Sequence, residues 1–236
     1  MNSRFLLFAG LLLFITGSPS YAAPPAIIRA HYDLYYGGIW GATMDDIFTL
    51  KQNHYKIEST SRAIGLVALF KPETIRVTSE GMLTSHGLQP VTFTSKRKLG
   101  TEHNVRAEFD WAHQRITLTN RSGRHTLPLP AGTQDRLSAM YQFMFLDLAN
   151  TDRLDFHMTD GDKLDIYNYL ITHGRSVTIP LGKFDALYVE STPEAGSKRT
   201  EIWLATQHSN IPYKMVVTDR DGNRISQVLT KIDFVP

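Results

Sequence analysis

Carboxylates and histidines are the residues best placed to do chemistry here, because the 236-residue chain contains no cysteine. Glycoside or ester hydrolysis by acid and base needs two carboxyl groups facing one substrate. Glu201 lies two positions before Trp203, so on a strand the two share a face, and Glu201 is the better acid candidate, with Asp135 as the second. Asp45 and Asp46 are adjacent and on a strand point to opposite faces, so they do not share a substrate. Glu201 as an ion-pair partner for a lysine or arginine is the simpler reading. No residue is assigned a catalytic role.

Nucleophile signatures are missing: there is no G-x-S-x-G elbow, no S-x-x-K, and no thiol. Ser138 falls on the polar side of a helical register and reads as a surface hydroxyl. Phosphate-cradling glycine loops are also missing. Nine histidines stand singly, without an H-E-x-x-H or comparable pair, so no metal and no cofactor are implied. The charge balance of +2 gives no reason to expect nucleic-acid binding. The triplet Lys96-Arg97-Lys98 could meet an anionic headgroup or glycan, although a solvated strand end is the commoner role of such a run.

What remains is apolar and aromatic. Leu137, Met140, Tyr141, Met144, Phe145 and Leu148 recur at i, i+3, i+4, i+7, i+8 and i+11, the stripe of an amphipathic helix over Thr133 to Leu148. Thr133 is placed to cap it, and Asp135 sits in its first turn. Tyr32, Tyr36 and Trp40 near the start, and Trp203 later, join apolar area to a polar tip. Together with Leu137, Met140, Tyr141, Met144 and Phe145 they form the expected ligand pocket. The eight-residue run Ala63 to Phe70 is too continuous for a half-exposed strand. It reads as a buried connector, with a flap at a cavity mouth as the alternative.

Outside that helix, apolar and polar residues alternate. Ile28 to Tyr36, Trp40 to Leu50, Tyr55 to Ser61, Thr74 to Leu83, Pro90 to Lys98, Asn104 to Asp110 and Gln114 to Leu118 read as strands. Leu127 to Gly132 should end the ladder, since its prolines lack a donor. After Asn150 the strands resume, Lys163 to His173 and Ser176 to Ile179 among them, with turns at Asp160-Gly161 and Asp221-Gly222, giving about a dozen in all. The expected fold is all-β and mainly antiparallel, a curled sheet or half-open barrel with one amphipathic helix on its open side.

Residues 1–22 read as a cleavable signal peptide: Arg4, the apolar run Phe5 to Ile15, then Ser20-Tyr21-Ala22. The run is about half the ~20 residues that span a bilayer, so no transmembrane span is expected. Without a cysteine to acylate, the exported chain is not a lipoprotein. Residues 23–236 are expected to form a single domain in the periplasm.

Three segments carry a resemblance: Ala30 to Gly38, Gln134 to Tyr141, and Glu201-Ile202-Trp203-Leu204 followed by Ile211-Pro212-Tyr213-Lys214. In order and spacing they resemble the exported proteobacterial family of domain of unknown function 3108. That resemblance implies a periplasmic, mainly antiparallel β-protein and brings no established catalytic residue. Relatives tend to place an aspartate before the proline of the last motif, where Gln207-His208-Ser209-Asn210 stand here, so no carboxylate is needed at that turn. The W-L and I-P-Y-K strands are also similar to the half-barrels of periplasmic lipoprotein carriers, at the level of fold alone. Two functions follow as expectations: a non-enzymatic carrier of a lipid or other apolar envelope molecule, or an envelope assembly protein with a filled core that binds a protein partner. A glycan or ester hydrolase is the third.

Overall fold

The computed structural model describes residues 25–191 and 198–235, so the signal peptide expected over residues 1–22 lies outside the described residues. The first half of the chain gives β1 (Ile27–Tyr36), β2 (Ile39–Lys51), β3 (His54–Ala63), the short helix α1 (Gly65–Phe70), β4 (Thr74–Thr84), β5 (Gly87–Arg97), β6 (Val105–Asp110), β7 (Arg115–Asn120) and β8 (Gly123–Pro128). The second half gives β9 (Gln134–Asp135), the helix α2 (Ser138–Gln142), β10 (Arg153–Thr159), β11 (Leu164–Ile179), β12 (Gly182–Ser191), β13 (Arg199–Ala205), β14 (Ile211–Thr218) and β15 (Arg224–Val235).

All fifteen strands join one sheet in the order β8-β7-β6-β5-β4-β3-β2-β1-β15-β14-β13-β12-β11-β10-β9. β1 to β8 and β10 to β15 are each a meander, in which consecutive strands pair antiparallel and alternate inward apolar and outward polar residues. β1 and β15 then pair antiparallel along their full length, Ile27 opposite Val235 and Tyr36 opposite Ile225, which splices the two meanders. β9 on β10 is the one parallel pair described. The sheet does not close: β8 and β9 are its two edges. Pro128 ends edge strand β8 opposite Arg115, so the proline stretch allows one more strand than the sequence reading gave it. An edge tolerates the missing donor.

The sheet curls until its β9 end meets the inner side of β4 and β5. Ser79 Oγ donates to Asp135 Oδ2 at 2.6 Å, and Gln134 Nε2 donates to the Leu88 carbonyl at 2.8 Å. The β10–β11 turn follows, with Gly161 at φ +93° pressed against Val105 and Phe93 so closely that a Cβ there would meet Val105 at 2.5 Å.

The segment from Leu137 to Leu148 fills the space so enclosed, but only Ser138–Gln142 is α-helical, followed by a 3-10 turn over Phe143–Phe145. The expected helix from Thr133 is therefore much longer than the observed one. The reason lies in Asp135, whose Oδ1 accepts from the N–H groups of Leu137 and Ser138 at 2.9 and 2.8 Å. Asp135, not Thr133, caps the turn, and Gln134–Asp135 is held extended by β10. Residues on the expected polar side are buried too. Ser138 is fully buried, exchanging hydrogen bonds with the Asp135 backbone, which corrects its reading as a surface hydroxyl. Leu137 and Tyr141 enter one apolar cluster with Ile28, Phe48, Ile57, Phe93 and Leu229; Phe143 and Leu148 enter a second with Phe156, Val189, Ile202 and Leu204. Tyr141 stacks on Phe48 with centroids 5.3 Å apart. No helix among the described residues is long and apolar enough to cross a membrane.

A cleft at one end of the curled sheet and a candidate functional site

Where the plug leaves the interior, a cleft of about 1170 Å³ opens. Its apolar floor is Met144, Phe145, Leu146, Leu148, Ala186 and Leu187; its rim carries His173, Arg175, Lys183, Asp147, Asp185 and Asn210. Three local structures position these groups. After Phe145 the chain turns extended at Leu146. β11 bulges between Thr172 and Arg175 with Gly174 at φ +64°, which re-aims the strand and pushes His173 and Arg175 to the rim. The β13–β14 turn closes the third side through Ser209 and Asn210, both left-handed, and Asn210 Nδ2 reaches the Phe143 carbonyl at 3.5 Å.

The rim carries charge of both signs. His173 Nε2 lies 3.2 Å from the Thr151 carbonyl and 3.6 Å from Asp152. Among the described residues Arg175 and Lys183 have no ion-pair partner, and both are exposed. Asp147 and Asp185 stand on the same rim, also without an ion-pair partner among the described residues. An apolar floor within reach of Arg175 and Lys183 suits an amphiphile whose head carries negative charge.

Of the residues expected to form the pocket, Met144 and Phe145 line this cleft. Leu137 and Tyr141 are buried in the core, with Met140 packed beside them, and Tyr32 is buried as well, its hydroxyl donating to the Pro212 carbonyl at 3.2 Å. Tyr36 and Trp40 are exposed at the far end of β1 and the near end of β2. Trp203 lies on the opposite face of β13 from Ile202 and Leu204, against Tyr188 at 5.1 Å with the Lys214 ammonium 5.1 Å over its ring. His173 reads in the sequence only as one of nine single histidines, and Arg175 and Lys183 go unnoticed there; the one local signal for His173 and Arg175 is Gly174 interrupting an alternating run.

The candidate acids do not converge. Glu201 Oε1 accepts from the Tyr188 hydroxyl at 2.8 Å and pairs with Arg199 at 3.5 Å, the ion-pair role the sequence favoured. Burial, then Glu201 itself, pushes the Tyr188 phenol up to about 12. Asp135 is inside, held by Ser79, Leu137 and Ser138, with burial raising its pKa against those hydrogen bonds. Asp45 and Asp46 take opposite faces as expected. Asp45 pairs outside with His31 at 2.6 Å and Arg62 at 2.8 Å. Asp46 is buried, accepts from the Tyr141 hydroxyl at 3.4 Å, and leaves Oδ1 without a partner. Burial pushes its carboxyl up to about 6, opposed by hydrogen bonds from Ser59 and Tyr141. No group of three or more potential metal ligands occurs among the described residues.

The model of the family described as Protein of unknown function (DUF3108) matches residues 31–230, from within β1 to within β15. The chain belongs to that family. No curated protein matches it. Among solved structures, this DUF3108 chain is similar to a beta-barrel-like protein of the domain of unknown function DUF1849 from Brucella abortus, at 14% identity and a TM-score of 0.55. The match covers 90% of this chain and 99% of that one. That likeness shows a shared fold, and neither comparison indicates an enzymatic family.

Proposed function

We propose that this DUF3108 member is a non-enzymatic, single-domain periplasmic protein that holds an amphiphile in the cleft beside Met144–Leu148. The apolar part lies against Met144, Phe145, Leu146 and Leu187, and the anionic head faces Arg175, Lys183 and His173. The observation that carries this reading is the joining of an apolar floor to the unpaired cations Arg175 and Lys183 in one space of about 1170 Å³, on the scale of small-molecule sites, with Asp147 and Asp185 on the same rim. Export rests on the leader over residues 1–22. The separate engagement of Glu201 and Asp135 supports a binding role over hydrolysis.

Dodecyl phosphate displacing a fluorescent anionic probe tests it. Arg175→Glu with Lys183→Glu should weaken dodecyl phosphate binding about a hundredfold, as loss of two charge-assisted contacts implies, while leaving dodecyl maltoside binding within a few-fold. Absence of binding by the unmodified protein would favour the second reading, an envelope assembly protein acting through its surface. That reading is supported by the densely filled interior around Tyr141 and Phe143.

A further inference from the structure

The largest exposed apolar group lies at the other end of the sheet from the cleft. The sequence reading of Ala63 to Phe70 as a buried connector is corrected here: α1 contains no buried residue, and Leu66, Leu69 and Phe70 are 74%, 77% and 89% exposed. These three fall at i, i+3 and i+4 and so share one side of the helix. The helix is fastened through backbone contacts, Ile64 N–H donating to the Gly41 carbonyl and Ala63 N–H to the Glu73 carbonyl, both at 3.0 Å. Beside it the β1–β2 turn exposes Tyr36, Ile39 and Trp40. Single exposed apolar residues are ordinary, but six large ones on one tip are not.

Basic residues ring this tip. Lys71 follows the helix, and Lys98 N–H donates to the Thr74 carbonyl, which brings the Lys96-Arg97-Lys98 run alongside. The Arg224 carbonyl accepts from Gly37 at the β1–β2 turn. Most acids at this end are engaged: Glu73 accepts from Leu99 and Thr74 N–H and pairs with Arg97, Asp45 pairs with Arg62, and Asp219 accepts from Asn223. Asp33, Asp221 and Glu102, the last 3.5 Å from His103, are the remaining carboxylates there.

We propose that this tip docks on an anionic lipid bilayer, with Leu66, Leu69, Phe70 and Trp40 sinking into the headgroup–acyl boundary while Lys71, Lys98 and Arg224 meet lipid phosphates. Tryptophan and tyrosine with basic neighbours are the side chains that interface favours. Apolar residues this exposed stand out from the surface, which suits insertion into lipid better than packing in a protein groove. The cleft includes Pro25, just before β1, whereas the tip follows Tyr36 at its other end, so a docked molecule keeps the cleft open. This proposal stands independently of the cleft's occupancy.

Protein purified without detergent should co-sediment with vesicles of phosphatidylethanolamine and phosphatidylglycerol at 3:1, and about tenfold less with phosphatidylcholine vesicles. Leu66→Ser, Leu69→Ser and Phe70→Ser together should reduce partitioning about tenfold or more, and Lys71→Glu with Lys98→Glu should abolish the preference for phosphatidylglycerol. Fluorescence should shift to the blue on binding, and Trp40→Phe should remove most of that shift. Circular dichroism should stay unchanged in every variant, because the altered side chains are exposed. Protein left in the supernatant at about 1 mM anionic lipid, well above the need of even a single acyl chain, overturns the proposal. So does a triple variant that binds as well as the parent, or a tip whose only effect is to join two copies of the chain.

Discussion

Replacing Asp46 with asparagine should stabilise the protein at neutral pH. The carboxyl is buried, its Oδ1 has no partner, and its pKa is raised to about 6 from 3.8. An acid whose pKa rises on folding binds its proton more tightly in the native state, so stability is greatest below the unfolded value and falls as pH climbs from about 4 to about 6. A gap of about two units at ~1.4 kcal/mol each gives a penalty of about 3 kcal/mol at pH 7.5. Asparagine cannot ionise and keeps an oxygen to accept from Tyr141 and Ser59, but leaves an amide N–H where Oδ1 was unpaired. The net gain should be about 1–3 kcal/mol, a rise of several degrees in Tm for a chain of this size. Urea unfolding of both proteins from pH 4 to 8 measures it: the curves should lie close together near pH 4, separate between pH 4 and 6, and keep a constant gap above about pH 6. Asp135 shifts in the same direction and leaves some slope in the variant, whereas Asp45, Glu73, Asp110 and Asp219 have lowered pKa values and act on the acid side. Parallel curves, or an asparagine variant less stable at pH 7.5, would refute the reasoning.

Gly81→Ala should cost about 1–3 kcal/mol or more, because a Cβ there meets the Gln89 carbonyl at 2.2 Å and Tyr55 at 2.8 Å in the β4–β5 bulge; the urea midpoint should fall with its slope unchanged. Gln142→Ala should cost about 2 kcal/mol, since Gln142 Oε1 accepts from the buried Leu88 N–H at 2.6 Å and Nε2 donates to the His86 carbonyl at 2.9 Å. Hydrogen exchange at Leu88 should accelerate in that variant. Leu69→Ser should change thermal stability by less than about 0.5 kcal/mol despite removing a large apolar side chain, because that side chain is exposed.

Much of the sheet was legible because period-2 alternation is a local signal: Ile28 to Tyr36 and Thr74 to Leu83 differ from β1 and β4 by one residue at an end. Lys163 to His173 and Ser176 to Ile179 read as two strands, yet they form the single β11, because a bulge breaks alternation without breaking pairing. The helix was overextended because the stripe from Leu137 to Leu148 marks burial and does not by itself fix conformation. In a plug touched from all sides, every residue is selected for packing, and Ser138 and Gln142 are buried through hydrogen bonds that sequence does not display. The run Ala63 to Phe70 misled for the opposite reason, since apolar composition is ordinarily evidence of burial. The cleft was legible only through Met144 and Phe145. Its cations stand on β11 and β12 and come beside the plug through the curl of the whole sheet, a non-local fact.

The proposal that the cleft binds an amphiphile is tested most directly by titrating isotopically labelled protein with dodecyl phosphate and following backbone amide resonances. The account predicts saturable shifts concentrated in residues 144–149, 173–187 and 206–210, with α1 and the β1–β2 turn unmoved at monomeric ligand. Shifts confined to residues 36–40 and 65–71, or none at all, would contradict it.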